Sequence, residues 1–88
     1  MIPANSIVIT FYTRSGCHLC DEVKVQVLPV VREFGAELRE IDIDGDPVLR
    51  AEFDSDVPVI FLGAQKIAKH RVDLAQLRRQ LARVIKSQ

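Results

Sequence analysis

The sequence predicts an α/β fold: a four-stranded mixed sheet flanked by three helices, in the order strand, helix, strand, helix, strand, strand, helix. Three observations predict it. Residues 7–12 (IVITFY) and 57–62 (VPVIFL) are short runs rich in β-branched and aromatic residues, the composition of buried strands. Apolar residues recur at helical spacing through residues 18–34 and again through 74–85. Gly63-Ala64 separates the second β-rich run from residues 65–69 by a hairpin's length, whereas strand–helix–strand units require parallel strands with right-handed crossovers. One antiparallel hairpin joined to parallel crossovers makes the sheet mixed.

Taken in order, Ser15-Gly16 ends the first strand and leaves its C-terminal end at the sheet rim, where open α/β sheets bind ligands. In residues 18–34, Leu19, Val23, Val27, Leu28, Val30, Val31 and Phe34 fall three and four apart, and Asp21 and Glu22 stand where a helix N-terminus favours negative charge. Val23, Val25 and Val27 also alternate with Lys24 and Gln26 as in a strand, and Pro29 removes one helical hydrogen bond. Length decides for a helix, with a bend near Pro29. Residues 38–43 mix apolar and charged side chains as a strand with one exposed face does. Asp46-Pro47 is an N-cap followed by proline at the first helical position, opening a short helix to about Phe53. Asp73 caps the last helix with Gln76 three residues on, and Leu74, Leu77, Leu81, Val84 and Ile85 form its buried face. No repeat or linker interrupts the series, so residues 1–88 read as one domain.

Eighty-eight residues suffice for one modest core without disulfide staples or a structural metal, and 48% hydrophobic with 27% charged residues is the composition of a folded globular chain. Apolar runs fall far short of the roughly 20 residues of a membrane helix. Residues 1–12 have neither a basic flank nor a small-residue cleavage site. The sequence thus predicts a cytoplasmic monomer with no membrane partner. Net charge is zero but uneven: residues 33–56 hold nine acids, while residues 66–86 hold seven lysines and arginines against Asp73. Arg78, Arg79, Arg83 and Lys86 lie toward the end of the last helix, where cations complement its dipole, and no aromatic residues interleave with them. Nucleic acid is therefore not an expected partner.

Both cysteines stand in YTRSGCHLC, residues 12–20. A reducing compartment leaves redox chemistry or metal binding as their purpose. With Cys17 at the start of the first helix, unpaired N–H groups and the positive dipole end favour thiolate over thiol. Arg14, three residues earlier, and His18, when protonated, add positive charge. Cys20 is one helical turn on and points more into the protein, so Cys17 is expected to attack and Cys20 to resolve in thiol–disulfide exchange. Three alternatives stand beside this: zinc, for which only His18 and His70 could join the cysteines as ligands; an iron–sulfur cluster shared by two chains; and a redox-inactive binding module.

The segment from Tyr12 to Cys20 closely resembles the glutaredoxin active-site segment, which reads aromatic, Ser or Thr, Lys or Arg, two spacers, then Cys-Pro-Tyr-Cys. The element order resembles the thioredoxin fold, β-α-β-α-β-β-α, over nearly the whole chain, and the sequence looks closest to a small bacterial glutaredoxin-like family of about this length. The resemblance implies an oxidoreductase with no bound cofactor that reduces protein or small-molecule disulfides, drawing electrons from glutathione as co-substrate or from a thioredoxin-reductase-type donor. It also implies that Pro58 is cis and packs beside the cysteines, and that Val57 pairs its main chain with a bound peptide or glutathione as an added strand. Tyr12 and Leu19 would belong to the same substrate-binding surface. Departures fall in the glutathione site: Leu19 for the usual Tyr, Asp56-Val57-Pro58 for Thr-Val-Pro, and Ala68-Lys69 for Gly-Gly, with Asp73 in place of the acidic residue that follows. Side chains at 68 and 69 crowd a backbone that glycine lets a ligand approach. Lys69, with His70 and Arg71, offers positive charge to a carboxylate, while three basic residues on a short final strand also read as a solvated sheet edge.

Overall fold

A computed structural model describes residues 7–86; residues 1–6, part of the stretch read for a targeting leader, and residues 87–88 lie outside the described residues. The elements run β1 (Val8–Thr13), α1 (His18–Phe34), β2 (Glu37–Asp42), a single 3-10 turn (Ile43–Gly45), α2 (Pro47–Phe53), β3 (Val59–Leu62), β4 (Gln65–Lys69) and α3 (Leu74–Lys86). The sheet has the order β2-β1-β3-β4. β1 pairs in parallel with β2 from Val8↔Glu37 to Thr13↔Asp42 and antiparallel with β3 from Ile9↔Leu62 to Tyr12↔Val59, so the sheet is mixed as the sequence predicts. β4 is the antiparallel edge beside β3.

Alternation along β1 divides the core. Tyr12 and Phe61 meet Phe53 of α2, with ring centroids 4.8 Å (Tyr12–Phe53) and 5.6 Å (Tyr12–Phe61) apart, which fixes α2 to that face. Ile9 and Phe11 therefore point to the opposite face, where they are 0% exposed in one apolar cluster with residues of α1 and α3. Full burial of a side chain of this size stabilises the fold by roughly 1.5–3 kcal/mol.

The structure resolves the ambiguity of the valine run as a helix. Val23 and Val27 are buried together with Cys20, Val30 and Val31, at three- and four-residue spacing, while Val25 is 70% exposed. α1 runs through Pro29: the carbonyl deprived of its partner is that of Val25, on the exposed side, where water can serve it. Gly35 ends the helix with φ 66, its N–H donating to the Arg32 carbonyl while Ala36 N–H donates to that of Val31.

Strand ends differ from the sequence reading by one or two residues, β1 running 8–13 rather than 7–12 and β2 37–42 rather than 38–43, and local chemistry accounts for two of the differences. β2 stops at Asp42 because its carboxylate accepts the Asp44 N–H at 2.9 Å and turns the chain, so the buried Ile43 belongs to the 3-10 turn. β3 starts at Val59, two residues later than expected, since Pro58 has no N–H to give a ladder. α2 and α3 open on their predicted caps: Asp46 accepts the Val48 N–H at 2.9 Å and Asp73 the Gln76 N–H at 3.1 Å.

Candidate functional site

The C-terminal end of β1 delivers the chain to a tight loop, and Gly16, with φ 76, lets it swing into α1. Cys17 is the N-cap. Its Sγ accepts the Cys20 N–H at 3.1 Å and its carbonyl accepts the Asp21 N–H at 3.2 Å, so sulfur occupies the place usually held by a hydroxyl or carboxylate oxygen. Cys17 and Cys20 are joined by a disulfide, with Cα atoms 5.2 Å apart. Cys17 is half-buried and Cys20 is 1% exposed. The cysteine pair is thus asymmetric: one sulfur at the rim under a helix N-terminus, the other in the core.

The Arg14 guanidinium faces two acids. Nε and Nη2 reach the Asp44 carboxylate at 3.2 and 2.7 Å, and Nη1 reaches both the carboxylate and the carbonyl of Asp54 at 2.8 Å. These hydrogen bonds, Asp44 first and Asp54 second, hold Arg14 above the ordinary arginine value. One cation is matched by two anions. Arg14 therefore straps the 3-10 turn and the end of α2 to the loop that carries Cys17, with its charge met by two carboxylates.

The other side of the rim comes from β3 and β4. Carrying the β1–β3 register one step past Tyr12↔Val59 sets Thr13 opposite Pro58, so the segment before β3 lies beside the Cys17 loop. The Val57–Pro58 peptide bond is cis and both residues are buried. Neither the N–H nor the C=O of Val57 makes a hydrogen bond among the described residues.

With that geometry in view, the family model for the Glutaredoxin-like domain (DUF836) matches residues 8–82, from β1 into α3. The chain belongs to this glutaredoxin-like family. A glutaredoxin-like protein of Dictyostelium discoideum is 35% identical over 89 residues, covering 94% of this chain and 82% of the relative. An X-ray structure from X. campestris superposes with a TM-score of 0.67 at 30% identity, over 84% of this chain and 95% of that one. Thioredoxin 1 of Thermosipho africanus superposes with a TM-score of 0.66 at 15% identity, over 90% and 94% of the two chains, which shows the thioredoxin fold.

His18 opens α1 with its ring exposed, and Leu19 packs half-buried on the core edge. Tyr12 lies in the aromatic cluster with Phe53 and Phe61. Lys69 Nζ is 4.0 Å from Asp56, which supplies a partner for that carboxylate at the β4 end. Asp73 is engaged as the cap of α3, through both its carboxylate and its carbonyl. Beside the dithiol on the β2 side, an open cleft of about 400 Å³ is lined by Thr13, Arg14, Ser15, Gly16, Asp21, Glu40 and Asp42. Among the described residues no three His, Cys, Asp or Glu side chains come together as a metal site, and no helix is long and apolar enough to cross a membrane. Sequence reading does not single out Asp44, Asp54 or the contact of His70 with Ser55; the only local signals are acids next to turns and a histidine just past a strand.

Proposed function

We propose that this glutaredoxin-like protein is a thiol–disulfide oxidoreductase that uses Cys17 as nucleophile and Cys20 as resolving thiol. In the reduced protein the Cys20 N–H and the open end of α1 stabilise negative charge on the Cys17 sulfur. The thiolate attacks one sulfur of a substrate disulfide: a Cys17–substrate S–S bond forms, the substrate S–S bond breaks, and the leaving thiolate takes a proton from solvent. Cys20, deprotonated, then attacks Cys17 Sγ, expelling the second substrate thiol and closing the Cys17–Cys20 disulfide. Two electrons pass from the protein to the substrate. Burial protects Cys20 from direct attack, so intermolecular chemistry is confined to Cys17 and the intramolecular step to Cys20.

The observation that carries this reading is the pairing of a rim sulfur that accepts a helix N-terminal N–H with a core sulfur able to bond to it. The substrate is a disulfide-bearing protein or small molecule, its main chain pairing with Val57; re-reduction comes from glutathione or a thioredoxin-reductase-type donor; and a reducing cytoplasm suits a dithiol that must be returned to its reduced state. The test is a pair of variants. Cys17→Ser should lose all disulfide reduction, whereas Cys20→Ser should accumulate a mixed disulfide at Cys17 visible by mass spectrometry. A Cys17→Ser variant that still reduces disulfides at the wild-type rate refutes the proposal.

A further inference from the structure

His70 stands just past β4 with φ 66, in the left-handed region that residues other than glycine seldom enter. From there its main-chain N–H donates to the Pro58 carbonyl at 2.8 Å, and its ring Nε2 lies 2.8 Å from the Ser55 carbonyl. A carbonyl can only accept, so Nε2 carries the hydrogen and donates in either charge state of the ring. The two bonds bracket Asp56 and Val57. Asp56 is tied at its own N–H to the Phe53 carbonyl at 2.9 Å. Val57 is buried with both main-chain groups unpaired among the described residues, and buried peptide groups seldom stay so without a partner.

We infer that His70 is a positioning residue, whose ring and amide together clamp the 55–58 segment so that the Val57 N–H and C=O face the main chain of a peptide disulfide bound at Cys17. The inference rests on the oxidoreductase reading above. β-Pairing with an incoming strand needs donor and acceptor aimed along one line, and a segment fixed beforehand spends less of the binding energy on being ordered. His70 accepts an unfavourable φ and in return reaches two carbonyls three residues apart. A small disulfide without peptide groups has nothing to offer Val57 and should be indifferent to the clamp.

The test mixes pre-reduced wild type, His70→Ala, His70→Gly and His70→Gln with either bis(2-hydroxyethyl) disulfide or a short peptide disulfide and follows closure of the Cys17–Cys20 bond by quenched alkylation. His70→Gly relieves the positive φ while deleting the ring, and His70→Gln keeps a side-chain N–H donor. For the peptide, His70→Ala and His70→Gly should raise the half-saturating concentration about fivefold to tenfold, the worth of one ordering hydrogen bond, with the limiting rate unchanged and His70→Gln recovering most of the loss. The hydroxyethyl disulfide should react at the wild-type rate with all four proteins. Equal losses on both substrates, or none on the peptide, overturn the inference. Amide exchange at Asp56, independent of any redox chemistry, should quicken in His70→Ala, and unchanged exchange likewise overturns it. A wild type that reduces neither disulfide while Asp56 exchange does respond would instead bring down the oxidoreductase reading, and the substrate role with it.

Discussion

Cys17 occupies a cap position where helices ordinarily place serine, threonine, aspartate or asparagine, and the N–H that a capping oxygen would accept is here aimed at sulfur. Charge developing on that sulfur meets a donor already in place. The neighbouring trio of Arg14, Asp44 and Asp54 works the other way, since it sums to one negative charge. Arg14 itself cannot be switched off by pH in practice: its value is raised, so its contribution is complete below the ordinary arginine value and lost only as pH climbs through the higher folded one. The carboxylates are the lever. Asp44→Asn combined with Asp54→Asn leaves the guanidinium unmatched and should lower the Cys17 pKa in the reduced protein, seen as faster alkylation by iodoacetamide near pH 6. Arg14→Met leaves two unmatched acids and should slow it. Identical alkylation profiles in both variants and wild type would show that the trio's field does not reach the sulfur.

At the level of elements, α1 carries a sequence pattern that fits two conformations and a burial pattern that fits one. Periodicity alone leaves Val23, Val25 and Val27 balanced between strand and helix; burial of the first and last with Val25 in water shows that the three- and four-residue spacing wins once a sheet face is there to receive it. Boundaries set by local chemistry were legible: Asp46-Pro47 opens α2 and Asp73 opens α3 because a carboxylate two or three residues from an N–H is a short-range fact. The dithiol was legible for the same reason. What the sequence does not show are side-chain ties between distant positions, such as Arg14 to Asp44 and Asp54, 30 and 40 residues away, or His70 to Ser55, 15 residues away, because neither periodicity nor capping encodes them. The end of α1 gives a stability test. Gly35→Ala places a Cβ on a residue at φ 66 and should cost about 1 kcal/mol in urea unfolding without changing alkylation of Cys17, which sits at the opposite end of the helix. A variant as stable as wild type would mean that the chain can leave α1 by another path.

Across the whole molecule, zero net charge conceals a separation. Asp21, Asp42, Asp44, Asp54 and Asp56 gather around the dithiol rim, where Arg14 and Lys69 are the cations paired with them. The bases of α3 lie elsewhere: Arg78 meets Glu33, near the far end of α1 and so about 24 Å along that helix from Cys17. An approaching disulfide therefore meets a negative field whatever the molecule's total charge, and such a field acts on encounter rates and weakens with salt. Pre-reduced protein should react fastest with dicationic cystamine, next with bis(2-hydroxyethyl) disulfide, and slowest with dianionic dithiodipropionate, after each rate is divided by that for a free thiolate to remove the sulfur's own charge. The spread should be widest near 10 mM salt, with a screening length of roughly 30 Å, and largely collapse near 1 M, where it is about 3 Å. Glutathione disulfide, also anionic, should fall at the slow end of that series. Normalised rates that ignore substrate charge, or that favour the dianion, would mean that Arg14 and Lys69 outweigh the acids at the point where the substrate sulfur arrives.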